Sequence, residues 1–164
     1  MGIYACYKEI DGEKIEEMLC EANKKSEENE IAVVLEKSEK CSLDKLWDGL
    51  HCLLTGVSAT HLLKGNLLSE AVMGRELWPH ESDISFVFPE RTAEIAAALN
   101  EFNLEEALNT FSPEHFYEED VYPNIWLRDD KEDLKQELQM AFEVLKNFYN
   151  TMAKKQKGVM VIIG

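Results

Sequence analysis

The sequence contains no Cys-x-x-Cys pair, no Gly-rich phosphate loop, no Gly-x-Ser-x-Gly turn and no apolar run near the ~20 residues that span a bilayer. Each absence removes a class of function. Cys6, Cys20, Cys41 and Cys52 are irregularly spaced, which argues against a disulfide framework or a structural zinc site. No export signal follows Met1, so the four read as reduced thiols of a cytoplasmic protein. Basic residues are scarce: 17 Lys and Arg stand against 32 Asp and Glu, for a net charge of −15. Nucleic acids and anionic membranes both need a positive surface, and this excess of acid argues against them. It leaves solubility, divalent cations or a basic protein partner. No cofactor signature or metal site is expected.

What is present fits one α+β domain over residues 1–164, with 45% hydrophobic residues. A chain of this length buries roughly two-thirds of its unfolded surface. Three segments read as strands: residues 2–10, where β-formers are apolar on both faces; 84–88, ISFVF; and the terminal 159–163, all Val, Met and Ile. Helices are expected after Asp11, Asn66, Pro89, Asn103, Ser112 and Asp130, each a residue that caps or opens a helix. The longest runs over about 131–156 and is ended by Gly158. Residues 23–30 carry no apolar side chain and read as a solvated loop; 31–36 fit a strand or a helical turn equally. The architecture implied is a small mixed sheet, including both termini, flanked by five to six helices.

The stretch 43–56, LDKLWDGLHCLLTG, carries the densest pattern. On a helical wheel Leu43, Leu46, Trp47, Leu50, Leu53 and Leu54 form one apolar arc, with Ser42 as the N-cap and Gly56 as the stop. Asp44, Asp48, His51 and Thr55 form a polar strip along its edge, and Asp48 and His51, three apart, can meet on the surface.

These segments resemble the YfbM-like proteins, a bacterial family of unknown function with an α+β fold. The resemblance is carried by GIYACYKEID, DKLWDGLHCLLTG, LSEAVMG, ISFVFPERTAEIAAAL, VYPNIW and VMVIIG, and most specifically by Trp47, Asp48, Leu50, His51, Leu54, Thr55 and Gly56. Residues 21–40 have no counterpart in it. The resemblance implies the fold and a cytoplasmic setting; it implies no reaction.

Two functions follow from the residues. In the first, the chain is a binding or regulatory protein whose acidic surface meets a basic protein partner, with Asp44, Trp47, Tyr122 and Trp126 as contact residues, since aromatic loop side chains anchor interfaces. In the second, it is a small-molecule enzyme: Asp48 orients His51 as an acid/base group and the Thr55 hydroxyl binds substrate. Structural alternatives stand beside both. His51 can bond Asp48 or a loop carbonyl and close the core edge, and the aromatic group of Tyr117, Tyr122 and Trp126 can plug the sheet. Cys52 is set aside as a partner of His51, because adjacent helical residues point about 100° apart. His80, Glu81 and Asp83 lie in one loop and read as solvated.

Overall fold

The structure is a computed structural model that describes residues 2–20, 39–61 and 63–164. The expectations for 23–30 and 31–36 lie outside the described residues. Five strands form one sheet in the order β2-β1-β5-β4-β3. They are β1 (Ala5–Ile10), β2 (Lys40–Asp44), β3 (Glu76–Leu77), β4 (Ile84–Val87) and β5 (Gly158–Ile163). Every pairing is antiparallel, where a mixed sheet was expected. Residues 88–157 separate β4 from β5, and so long a helical excursion can return the chain in either direction; it sets no strand polarity. The uninterrupted apolar β5 lies in the middle, pairing Ala5 with Ile163 on one side and Ile84 with Ile162 on the other. A strand apolar on both faces needs cover on both, and this one has it.

The period of two sorts the core. Ala5, Tyr7, Val87, Val159 and Val161 face the larger cluster, while Ile10, Ile84, Phe86 and Met160 face the smaller. Helix α1 (Gly12–Cys20) covers the smaller side with Ile15 and Met18, beside Trp78. The larger side is covered by α2 (Trp47–Thr55), α3 (Leu67–Met73), α4 (Pro89–Glu101) and α7 (Lys131–Lys155). The short helices α5 (Leu104–Asn109) and α6 (Pro113–Glu118) complete seven helices among the described residues.

Four side-chain caps fall where the sequence places them. Asn66, Asn103, Ser112 and Asp130 each accept a first-turn backbone N–H. The end of α7 differs. Gln156, at φ 55°, takes the left-handed position. Gly158 instead starts β5, where an added Cβ would lie 2.6 Å from the Val87 carbonyl oxygen.

The helix expected from residue 43 begins at Trp47. Leu43 and Asp44 belong to β2, which extends the sheet beyond β1, and Ser42 is a strand residue whose hydroxyl donates to the Ala5 carbonyl rather than an N-cap. Asp44 ends the strand at φ 48°. Leu43 is nevertheless buried in the same cluster as Trp47, Leu50 and Leu54, so the apolar contacts hold although the backbone changes. Gly56, at φ 87°, closes α2 in the left-handed position, its N–H donating to the Cys52 carbonyl.

Candidate functional site

Helix α2 carries the expected polar strip, shortened by the loss of Asp44 to β2. Gly56 turns the chain back, so that the next few residues run beside the helix. Asp48 is 2% exposed, and its carboxylate is fully engaged. One oxygen accepts the Ala59 N–H at 2.7 Å; the other accepts the Tyr122 N–H at 2.9 Å. The Ser58 hydroxyl lies 3.2 and 3.1 Å from the two. Asp48 therefore ties together two loops whose donors, Ala59 and Tyr122, are 63 residues apart in sequence. Thr55 closes the same turn: its hydroxyl donates to the His51 carbonyl at 2.8 Å and lies 3.2 Å from that of Val57.

His51 is fully buried and does not hydrogen-bond Asp48 among the described residues. Its Nδ1 lies 2.8 Å from the Val57 carbonyl oxygen, and its Nε2 lies 2.7 Å from the Ser69 hydroxyl. A carbonyl can only accept, so Nδ1 carries the proton. The Nε2 lone pair of the neutral ring is left facing Ser69.

Burial lowers the His51 pKa below its ordinary 6.5, outweighing the Val57 carbonyl and the Asp48 charge, which raise it; His61 adds to the lowering. Between the lowered folded value and 6.5 the unfolded chain binds more protons than the folded one, so stability rises with pH there. The His51 contribution is complete above pH 6.5 and is lost as pH falls through the folded value. Urea unfolding at pH 7.5 and 5.5 is expected to show a smaller acid-side loss for His51→Gln than for the parent chain. Equal losses would remove His51 as the cause.

Ser69 sits on α3, which the surrounding structure fixes tightly. The Tyr149 hydroxyl donates to the Ala71 carbonyl at 2.9 Å, and Tyr7 to that of Val72 at 2.7 Å. Glu70 is 5% exposed and takes Arg91 Nη2 at 2.6 Å and Nε at 2.8 Å on one oxygen; Arg75 Nε is 3.5 Å from the other. Ser69 and Glu70 escape sequence reasoning because Ser69 lies eighteen residues from His51. The available signal is two polar residues on the buried side of a short helix.

The aromatic candidates divide. Trp126 is 1% exposed, donates to the Val121 carbonyl at 2.8 Å and packs on Phe116 with ring centres 4.7 Å apart. It belongs to the core beneath α2. Trp47 and Tyr122 are tilted against each other at 5.9 Å and grip the backbone of Ile3: the indole donates to its carbonyl at 3.1 Å, and its N–H donates to the tyrosine hydroxyl at 2.8 Å. Beside them opens a groove of about 560 Å³ between the β2–α2 link, the 123–125 segment and α7. Tyr4, Met140 and Val144 line it, with Asp44 and Glu137 supplying acid and Lys45 base.

Burial pushes the Cys52 and Cys41 thiols up to about 12, so neither is a thiolate near neutral pH. Among the described residues no group of three or more His, Cys, Asp or Glu converges as a metal site, and no helix is long and apolar enough to cross a membrane.

Residues 1–162 match the family model described as a domain of unknown function, DUF1877. The chain is 28% identical to Protein YfbM of Escherichia coli K12 over 166 residues, which is 99% of each chain. The crystal structure of the Escherichia coli protein, described as a protein of unknown function, is similar at a TM-score of 0.78 with 27% identity. That match covers 98% of this chain and 99% of the other.

Proposed function

Because the chain belongs to the DUF1877 family, whose membership brings no activity with it, we propose on its geometry that it is a binding protein, one that holds an amphipathic segment of a basic partner. The groove beside Trp47 and Tyr122 carries this reading. Large apolar side chains exposed one at a time are ordinary on a protein surface. Of the seven exposed among the described residues, however, Tyr4, Met140 and Val144 line this one groove. Tyr4 is 47% exposed, Met140 65% and Val144 42%, so each has contact area to bury against a partner. Lys45 is turned over the Tyr4 ring at 5.5 Å, which leaves Asp44 and Glu137 to meet cationic side chains. The net charge of −15 would speed the approach of a basic segment.

In this reading Asp48 is the clamp that sets Tyr122 at the groove, and regulation would follow from what the bound segment does when released. A cytoplasmic setting belongs to the same proposal and suits the four free thiols.

The test is titration with a synthetic amphipathic peptide of Leu and Lys, beside a Leu and Glu control. The basic peptide is expected to bind saturably, at least tenfold more weakly to the Met140→Ser, Val144→Ser double variant, which removes apolar contact area without changing the charge, and progressively more weakly as salt rises from 50 to 500 mM. Both substituted positions are exposed, so the fold should survive. Equal affinity for parent and double variant, or indifference to salt, would discard the groove as the docking surface.

A further inference from the structure

A second groove, of about 480 Å³, lies on another part of the molecule and has Ser69 in its wall. We infer that this groove is a site of acyl transfer from small esters, in which Ser69 is the nucleophile and His51 its general base. The inference does not depend on the peptide groove.

Four observations support it. The Ser69 hydroxyl and His51 Nε2 are 2.7 Å apart, within reach for direct proton transfer. The Val57 carbonyl, 2.8 Å from Nδ1, holds the ring in the tautomer whose Nε2 can accept that proton; a carbonyl here does what a carboxylate does in other nucleophile–base–orienter sets. Neither side chain is held loosely. His51 is 0% exposed, and α3 is fastened by the two tyrosine hydroxyls and the Glu70–Arg91 pair. Finally, the groove is of ordinary small-ligand size, within about 300–1,000 Å³. Ala59, Leu63 and Met73 supply apolar wall for a short acyl chain. Lys64 supplies a cation, the kind of group that stabilises a developing oxyanion, while Arg75 is taken up by Glu70 and Glu76.

The step is balanced as follows. Ser69 Oγ bonds to the ester carbonyl carbon while its proton passes to His51 Nε2. The ester C–O bond then breaks, and the departing alcohol takes that proton. Water next attacks the acyl-Ser69 carbon, passing a proton to His51, and the acid leaves as Ser69 Oγ recovers the proton. No oxidant or metal is required, and water is the acyl acceptor.

The experiment uses the full chain and a fluorophosphonate probe, read by intact mass and peptide mapping, with p-nitrophenyl butyrate hydrolysis alongside. In the probe reaction Oγ–P forms, P–F breaks and the hydroxyl proton leaves with fluoride. The parent chain is expected to carry one adduct, on Ser69, and to release p-nitrophenol. Ser69→Ala should do neither, and His51→Gln should label at least about 100-fold more slowly, the span of general-base catalysis. A folded parent chain left unlabelled at Ser69 overturns the assignment, as does a His51→Gln variant that labels at the parent rate. Should His51→Gln fail to fold, Ser69→Cys carries the test. Its thiol, beside an imidazole acceptor, should react with iodoacetamide at pH 7 at least tenfold faster than the exposed Cys20; a thiol slower than Cys20 sinks the proposal.

Discussion

Asp48→Ala is expected to cost the folded protein about 4 kcal/mol, because it strands two backbone N–H donors at about 1–3 kcal/mol each and removes the acceptor of a buried hydroxyl. The donors are those of Ala59 and Tyr122, at 2.7 and 2.9 Å, and the hydroxyl is that of Ser58. For a chain of this size, where each kcal/mol moves the midpoint by about 2–4 °C, the melting temperature should fall by about 10 °C. Asp48→Asn separates hydrogen bonding from volume. Its amide fills the same space but can turn only one acceptor towards the two N–H groups, so about half the loss is expected. Urea unfolding of the three proteins checks both values. A loss under about 1 kcal/mol for Asp48→Ala would mean that the loops are held by something else. The same variant should also weaken binding of the basic peptide, since the Tyr122 backbone it releases leads directly into Pro123, which lines the groove.

How much of this could be read from the sequence depends on whether the signal is local. Strands β1, β4 and β5 are legible because their apolar runs are short, rich in β-formers and bounded by turn or cap residues. The caps at Asn66, Asn103, Ser112 and Asp130 are legible because a cap acts on the N–H groups two or three residues ahead. Strand β2 is not. Leu43 is buried either as the first turn of a helix or as the inward residue of KCSLD, and only the edge of β1 decides between them. The antiparallel order of the sheet is likewise a property of long connections, which the strand sequences do not encode.

The site follows the same rule. His51 stands out in the sequence, but its partners come from outside the helix: Val57 after the turn and Ser69 on α3. The natural local pairing, with Asp48, gives way because two loops supply Asp48 with three better donors. Met140 and Val144 are a related case. They fall off the buried stripe of Leu134, Leu138, Ala141 and Leu145 in α7, and their meaning emerges only when Tyr4 is folded beside them.

The second large effect concerns Trp126, placed among the binding residues by its sequence and among the core residues by its burial. Trp126→Ala is expected to cost about 4 kcal/mol, in the range for emptying a buried aromatic site. Gly49 reports how closely the helix and the ring are packed. A Cβ on Gly49 would lie 2.6 Å from Cη2 of Trp126 and 2.9 Å from Cζ2. The ring has little freedom to withdraw, since its N–H is held by the Val121 carbonyl and it packs in T-shaped contacts with Phe116 and Phe111. In the parent chain Gly49→Ala should therefore destabilise by about 1–3 kcal/mol through overpacking, despite the roughly 1 kcal/mol by which Ala favours a helix interior over Gly. In the Trp126→Ala background the clash is absent and the helix preference alone remains, so the same substitution should stabilise. The sign must reverse between the two backgrounds, a coupling measurable as a double-mutant cycle in urea. A substitution that destabilises equally in both would show that Gly49 is required by the backbone of α2 and not by Trp126. A reversal would establish that α2, with His51 and Asp48 upon it, is seated on the Trp126 ring.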